Sequence, residues 1–578
     1  MNLLTTNADI QHLGSLPKGV IRVGDWILDA RANRLRRGRH EARLEPKVMD
    51  LLVYLAARPN EVVSRHELEA AVWQGTVVGY DSVTGAIQKL RRVLEDDRRS
   101  PRYIETLSKR GYRFVAPVQA AEPALKDADP PHHPPRFPIR TAAPWTGPYR
   151  LLDFALLLLI ALSAAGLWVS RAPLTPPAPV GDASPASIAV LPFENLDGNP
   201  ATDYLAEGVT DDIITGLTKL PGLAVISRDS TFLYGPRETD ARAAADALDA
   251  RYVLYGSIRH TRAGARINAH LVDGASRIQL WAESYTSDDD DLGDLHLRIT
   301  RDLMAALAPR VSAGMQQDLG EPITADPRAY DEFLIGRQRF YLYLSEAENA
   351  RAREHFETAL ELDPDFALAR AMLAWTHAFD AMNGWRPDRE EALERSLEQA
   401  GLALDPDRPL PIAHFVRGLA LRELGRFPQA TVEAEKAIAA DPSYANAHLL
   451  LATLLYHGGR PEAGLERIRT AMALNPHHPY NYHFHLGQMY YTLGRYDDAI
   501  RAFRRGLESN PASERLHVWL AASLAEVGDM DEARWEAEQV LLANPDFSIA
   551  QVEANFPYTR SAWVSRLTDQ LRAAGLGR

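Results

Sequence analysis

The chain has 578 residues, enough for three or more domains, and a formal net charge of −13 at pH 7. Residues 1–150 carry a net charge of +7, so that about −20 falls on residues 172–578, and this asymmetry predicts different partners for the two parts. The chain has no cysteine, which excludes disulfides, thiolate metal sites and cysteine nucleophiles.

The first segment, residues 1–19, is predicted to be a disordered tail, and residues 20–118 form the first predicted domain. Short strand-like segments begin at Ile21 and are separated by turn-forming residues. Pro46 follows Glu45 and is typical of the first turn of a helix. Ser64 with Glu67 three residues later forms the capping box that opens a second helix.

A third helix is predicted from Ser82 to about Leu94, with an apolar face at helical spacing. Cations, amides and small residues occupy its opposite face and flanks: Thr84, Gly85, Gln88, Lys89, Arg91 and Arg92. Arg and Lys can pair with guanine and Gln with adenine in the major groove of DNA. The alternative is a solvated basic face, which is common on surface helices.

The segment after this helix favours the nucleic-acid interpretation. Tyr103 to Phe114 reads as a β-hairpin whose tip carries Lys109, Arg110 and Gly111. Short strands, three helices and a basic hairpin together predict a winged helix-turn-helix domain.

These residues resemble the OmpR-type winged-helix domain of bacterial transcription regulators. The resemblance rests on LEPKVMDLLVYLAARPNEVVSRHELEAAVW, DSVTGAIQKLRRVLEDD and IETLSKRGYRF. It implies that the third helix reads bases and that the hairpin wing enters the neighbouring minor groove. By position, Lys89 and Arg91 match the basic readers of the family, and Thr106 and Arg113 match its wing or backbone contacts. Ser108 stands where many members have Arg, and the wing cations at 109 and 110 resemble the membrane-anchored CadC/ToxR branch.

An apolar stretch, Leu151–Ser170, divides the chain after a Pro-rich linker at residues 119–149. A helix of about 20 residues reaches across the hydrocarbon core of a bilayer, so residues 150–170 are predicted to be a transmembrane helix. A buried helix of a soluble core is the alternative. Arg136, Arg140 and Arg150 precede the span, which predicts a cytoplasmic N-terminus and a periplasmic C-terminal region at the inner membrane.

A Pro-rich tether at residues 171–185 leads to a predicted α/β module at residues 186–316, where strand-like and helix-like segments alternate. Its pieces SIAVLPFENL, YLAEGVTDDIITGL and LWAESY resemble the N-terminal domain of TolB. Nucleotide binding or a cyclase-like activity is a weaker alternative for this module.

Residues 326–578 are predicted to be tetratricopeptide repeats with a C-terminal capping helix. Asp-Pro or Asn-Pro pairs recur from residue 363 to residue 545 at spacings of 42, 36, 34, 35 and 34 residues. A period near 34 is typical of this repeat, which presents a surface for a protein or peptide partner. Four histidines between His477 and His485 allow a metal or pH-sensing site, but surface placement is the simpler interpretation.

The fold class predicted from the sequence is therefore multidomain: a winged helix, one transmembrane helix, an α/β module and an α-solenoid. We expect a membrane-anchored, one-component transcriptional regulator that binds double-stranded promoter DNA, as a homodimer or higher oligomer, in response to a signal sensed by the later modules. No cofactor, metal or enzymatic activity is predicted, since no nucleotide-binding or hydrolase motif occurs. An envelope scaffold with minor DNA-binding activity is the alternative.

Overall fold

The structure is a computed structural model that describes residues 21–73, 80–107, 110–120, 186–220, 222–236, 238–261, 264–287, 292–311, 324, 326–342, 345–554 and 561–577. The predicted tail at residues 1–19 and most of both Pro-rich linkers lie outside these residues.

The winged-helix domain contains two antiparallel sheets: one of five strands, which includes the first and last strands of the domain, and one of three strands. Its elements are β1 (Ile21–Val23), β2 (Trp26–Asp29), β3 (Arg34–Arg37), β4 (His40–Arg43), α1 (Pro46–Ala56), β5 (Val62–Val63), α2 (Arg65–Val72), α3 (Tyr80–Leu94), β6 (Ile104–Leu107), β7 (Gly111–Phe114) and β8 (Val118–Ala120). The strand orders are β4-β3-β2-β1-β8 and β5-β7-β6. The Ser64 side chain accepts a hydrogen bond from the Glu67 backbone N–H, as the capping box predicts.

The core of this domain explains why α3 presents one face outward. Val83, Ile87 and Leu90 on α3 are at most 1% exposed and pack in one cluster with Trp26 and Trp73. The apolar stripe is buried against the sheet and the other helices, so the polar positions opposite this stripe point away from the core.

The α/β module is a mixed sheet with helices on both faces. Its strands are β9 (Ala186–Val190), β10 (Glu194–Asn195), β11 (Leu223–Val225), β12 (Tyr252–Thr261), β13 (Gly264–Asp273) and β14 (Gln279–Ser287). Its helices are α4 (Asp203–Leu217), α5 (Arg228–Thr231), α6 (Glu238–Ala247) and α7 (Leu292–Val311). The main order is β11-β9-β12-β13-β14, and β10 pairs with β12.

Alternation along β9 and its continuation gives this sheet two apolar faces. Ile188 and Val190 pack in the cluster that contains α4 and α7, whereas Ala189 and Leu191 pack in the cluster that contains α6. Residues of a strand point alternately to its two faces, so a continuous apolar run is the pattern of a strand covered on both sides.

The remaining chain is a solenoid of antiparallel helix pairs. Its helices are α8 (Pro327–Leu342), α9 (Glu346–Leu362), α10 (Ala367–Asn383), α11 (Arg389–Leu402), α12 (Pro411–Glu423), α13 (Phe427–Ala440), α14 (Ala445–His457), α15 (Pro461–Leu474), α16 (Tyr480–Thr492), α17 (Tyr496–Ser509), α18 (Glu514–Glu526), α19 (Met530–Ala543), α20 (Ile549–Ala554) and α21 (Ser561–Ala573). Within one repeat, a Cβ on Gly487 would lie 2.3 Å from the Phe503 ring. The small residue at this position lets α16 and α17 approach closely.

The fold class predicted from the sequence is wrong in one element. No helix among the described residues is long and apolar enough to cross a bilayer. The predicted transmembrane helix, residues 150–170, falls outside the described residues. The corrected fold class is a winged helix, an α/β module and a tetratricopeptide solenoid. The predicted topology, with a cytoplasmic N-terminus and a periplasmic C-terminal region, is not tested by any observation of the structure.

Buried charges join the α/β module to the first solenoid helix. The Arg337 guanidinium on α8 lies 3.2 Å from the Asp212 carboxylate and 3.4 Å from the Asp211 carboxylate, both on α4. Arg228 at the start of α5 also pairs with Asp211, at 2.8 Å. Each buried carboxylate thus faces a cation, and the two modules pack as one body.

Candidate nucleic-acid interface

The outward face of α3 carries only part of the predicted set in an accessible state. Gln88 and Arg92 are exposed, Thr84 and Gly85 are half-buried, and Lys89 and Arg91 are buried. The structure therefore divides the predicted set into exposed, half-buried and buried side chains.

Arg91 ties the helix to the wing. Its Nη2 donates hydrogen bonds to the Ile104 carbonyl oxygen and to the Thr106 hydroxyl oxygen, both at 2.8 Å. Burial lowers the pKa of Arg91, and the nearby Asp96 carboxylate opposes that shift. In this arrangement the guanidinium fixes the angle between α3 and β6.

The wing is an antiparallel hairpin of β6 and β7. Arg113 lies opposite Glu105 in the ladder and donates to its Oε2 from Nη2 at 2.6 Å. Arg110 is exposed at the turn, whereas Lys109 lies outside the described residues. The Arg110 side chain is therefore accessible at the tip of the wing.

Gly111 allows the wing to approach the body of the domain. Its φ is +125°, and a Cβ there would lie 2.1 Å from the Val63 carbonyl oxygen on β5. The sequence signal for this position was the glycine itself, which is the residue that tolerates both the positive φ and the close contact.

Lys89 forms a buried ion pair with Glu45, the residue immediately before α1. The two residues are 3% and 5% exposed. Burial lowers the pKa of Lys89, and the Glu45 carboxylate opposes that shift. The Nε2 atom of His517, from solenoid helix α18, lies 3.4 Å from the same carboxylate.

Arg92 points in a different direction from Arg91 and reaches the solenoid. Its Nη1 donates to the carbonyl oxygen of Ala543 at 2.6 Å and also to that of Leu542. These two carbonyls are at the C-terminal end of α19. A cleft of about 640 Å³ lies beside this contact, between the hairpin of β3 and β4, the end of α3 and α19.

Sequence reasoning missed several residues of this region: Arg43, Glu45, His517, Glu532 and Trp535. Arg43 at the end of β4 pairs with Glu532 at 3.0 Å, and its guanidinium carbon lies 4.5 Å from the Trp535 ring centroid. These pairs join residues more than 400 positions apart, so local spacing contains no signal for them. The only sequence feature that pointed to a contact surface here was the basic composition of the strand segment from Arg34 to Arg43.

No group of three or more His, Asp or Glu side chains in the described residues is arranged to hold a metal ion. The ring centroids of His478 and His483 lie 4.6 Å apart in an edge-to-face arrangement. The Nδ1 atom of His485 is hydrogen-bonded to Oε1 of Gln488 at 3.0 Å. All three side chains are half-buried, so they are partly accessible at the surface of the repeat. Burial lowers the pKa of His483 to about 3, which keeps its ring neutral near pH 7.

Two parts of the chain match known protein families. Residues 39–114 match the family described as "Transcriptional regulatory protein, C terminal". Residues 484–549 match a tetratricopeptide repeat family, and residues 423–506 match subunit 3 of the anaphase-promoting complex. The chain therefore contains a winged-helix domain of the transcriptional-regulator type followed by tetratricopeptide repeats.

The winged-helix region is similar in sequence to parts of curated transcriptional activators. The chain is 43% identical over 100 residues to the transcriptional activator CadC of Escherichia coli, covering 17% of this chain and 20% of CadC. It is 43% identical over 90 residues to the cholera toxin transcriptional activator of Vibrio cholerae, covering 15% of this chain and 28% of that protein. The solved DNA-binding domain of E. coli CadC is 40% identical, covers 18% of this chain and 97% of that domain, and has a TM-score of 0.17.

A relative that matches over a longer stretch of the chain is named as an enzyme rather than as a regulator. The chain is 37% identical over 244 residues to "Putative adenylate cyclase 3" of Rhizobium meliloti, covering 42% of this chain and 41% of that protein. The chain thus spans less than half the length of these curated relatives. The matches do not support the predicted resemblance of residues 186–316 to the N-terminal domain of TolB.

Proposed function

We propose that this protein is a transcriptional regulator whose winged helix binds double-stranded promoter DNA through α3 and the wing. The observation that supports this function best is that Gln88 and Arg92 on α3 and Arg110 on the wing are all exposed. They lie in a domain that matches the domains of transcriptional regulators. An amide and a guanidinium on a helix of this kind suit base edges, and a cation on the wing suits phosphate.

The protein or peptide partner of the regulator binds the solenoid in this proposal. Tetratricopeptide helices form extended surfaces without catalytic groups, and such surfaces bind segments of other proteins. The α/β module, which packs on α8 through Arg337, transmits or senses the same signal. Two heads on repeated half-sites supply the affinity for a promoter, since linked binding events raise the effective concentration. We propose no enzymatic activity for the chain.

The test is the salt dependence of duplex binding by the full-length protein. We expect log Kd against log salt to have a slope that falls by about 1 in Arg110→Ala, because one phosphate contact is lost. Gln88→Ala should leave this slope unchanged and reduce the preference among promoter sequences. Arg39→Ala is the matched control, since Arg39 is exposed at the turn between β3 and β4.

Genome-wide occupancy then separates a regulator from a scaffold. Discrete sites that are lost in Gln88→Ala/Arg92→Ala and kept in Arg39→Ala support the proposed function. An occupancy profile without discrete sites for the unmodified protein contradicts it and favours the scaffold alternative.

A further inference from the structure

The face of α3 that is aimed at DNA is in contact with the last complete repeat of the solenoid. Lys89 Nζ lies 3.5 Å from the Pro511 carbonyl oxygen, in the turn that precedes α18. A Cβ on Gly85 would lie 2.8 Å from the Ala512 Cβ in the same turn. The backbone of α3 therefore has no free space on this side.

The chemistry of the contact resembles that of a DNA backbone. Arg92 takes its acceptors from the carbonyls of Leu542 and Ala543, at the end of α19. The last carbonyls of a helix lack intrahelical donors and carry the negative end of the helix dipole. Two cations of α3, Lys89 and Arg92, thus meet carbonyl oxygens of the repeat where phosphate oxygens would otherwise stand.

The contact extends beyond α3, which distinguishes it from a single surface ion pair. Arg43 on β4 reaches Glu532 and the Trp535 ring on α19. Leu542 packs against the apolar core of the winged-helix domain. Fully buried His517 lies 2.5 Å from Glu536 of its own repeat and 3.4 Å from Glu45 of the winged-helix domain.

We propose that the repeat formed by α18 and α19 is an internal competitor for DNA, and that the winged helix binds a duplex only when this repeat has moved away. A recognition helix enters a major groove about 12 Å wide. A helix whose Gly85 already touches Ala512 cannot enter it at the same time. The inference rests on the proposed function, because it assigns the control of that same DNA-binding face.

This arrangement connects the solenoid to DNA affinity by a population shift. The apparent Kd for DNA equals the intrinsic Kd divided by the fraction of molecules with an uncovered α3. A partner that binds the solenoid better when α18 and α19 are undocked raises this fraction and therefore tightens DNA binding. The partner is a protein segment whose site on the repeats overlaps or strains the docked surface.

The first experiment adds neutral bulk at the contact. Full-length Ala512→Trp should bind a 30-base-pair duplex of arbitrary sequence at least tenfold more tightly than the unmodified chain, because Trp cannot fit against Gly85. The control is Asp407→Trp, at the corresponding turn position of an earlier repeat, where the side chain is exposed. Asp407→Trp also removes a negative charge, which would by itself tighten DNA binding rather than weaken it. We nevertheless expect the Kd of Asp407→Trp for DNA to stay within twofold of that of the unmodified chain.

The second experiment reports docking without depending on DNA affinity, and it uses the absence of cysteine from the chain. A thiol at Ala512→Cys should react with a maleimide at least tenfold more slowly than one at Asp407→Cys, because Ala512 is half-buried against the docked α3 and Asp407 is exposed. Saturating duplex should raise the rate at Ala512→Cys towards that of Asp407→Cys and leave the latter unchanged.

The outcomes separate this inference from the function on which it rests. Rapid labelling at Ala512→Cys without DNA overturns the docked arrangement, even if Ala512→Trp fails to fold. Equal DNA affinities of Ala512→Trp and the unmodified chain, or slow labelling that bound duplex does not accelerate, overturn the competition while the regulator function stands. Absence of duplex binding by the unmodified chain, by Ala512→Trp and by Asp407→Trp overturns both.

Discussion

Lys89 on α3 is paired with Glu45, immediately before α1, and both side chains are nearly excluded from solvent. A buried cation without its partner costs more free energy than the pair contributes, since desolvation is then uncompensated. We expect Glu45→Ala to lower the free energy of unfolding of the winged-helix domain by about 3–5 kcal/mol. Chemical denaturation followed by the fluorescence of the domain's tryptophans measures this change.

Two further variants test whether the loss of stability comes from the unpaired buried charge. Glu45→Ala/Lys89→Met should recover most of the lost stability, because an apolar side chain of similar length replaces the unpaired charge. Glu61→Ala, at an exposed carboxylate, should change stability by less than about 0.5 kcal/mol. If Glu45→Ala behaves like Glu61→Ala, the ion pair does not hold these elements together.

The wing depends on Gly111, where a positive φ coincides with a close contact to the backbone of another strand. Gly111→Ala should destabilise the domain by about 3 kcal/mol or more, because it adds a steric overlap with Val63 to a strained positive φ. Gly38→Ala is the matched control: its φ is +61° and no atom lies within 4 Å of the added methyl group. Its cost should be about 1 kcal/mol, from the left-handed backbone alone.

Thermal unfolding of the two glycine variants provides the measurement. Gly111→Ala should also weaken duplex binding, because the wing moves away from β5 and changes the position of Arg110. Equal melting temperatures for the two variants would contradict the close approach of β7 to β5.

Interactions between residues close in sequence make two features of this domain predictable: the buried face of α3 and the start of α2. The helical spacing of Val83, Ile87 and Leu90 identifies the buried face of α3, and the capping box at Ser64 identifies the start of α2. Both depend on interactions within four residues of one another, so the sequence alone contains the necessary information.

The partners of the cations on α3 were not predictable in the same way. On a helical wheel Arg92 lies within the polar face of α3, and Lys89 and Arg91 lie on its two flanks. The three cations pair with α19, with Glu45 and with the wing strand respectively. These partners are separated from α3 by 13 to more than 400 residues, and only the packed structure brings them into contact. The roles of these residues in DNA binding remain predictions.

Arg337 connects the α/β module to the solenoid through two buried carboxylates, Asp211 and Asp212. Arg337→Met should leave Asp212 without this compensating cation and lower stability by about 3–5 kcal/mol. The calorimetric transition should shift to lower temperature, because these charge pairs lie in the contact between the modules, beside Tyr204 and Leu205, which pack against the solenoid core. Arg351→Met, which removes an exposed pair with Glu348, should change the melting temperature little. A single unshifted transition in Arg337→Met would show that the modules do not depend on this junction.

Asp441, at the turn between α13 and α14, is a buried carboxyl whose pKa is raised from 3.8 to about 6 by burial, although the Ser443 backbone N–H donates to it. The folded state therefore binds this proton more tightly than the unfolded state, so stability falls as pH rises from about 4 to 6 and the cost is complete above that range. The later repeats have Asn475, Asn510 and Asn544 at the corresponding position. We expect Asp441→Asn to stabilise the protein by on the order of 2–3 kcal/mol at pH 8 and to have little effect at pH 4. Asp405→Asn, at the exposed equivalent of an earlier repeat, is the matched control. A stabilisation by Asp441→Asn that is the same at pH 4 and at pH 8 would contradict the burial of the Asp441 charge.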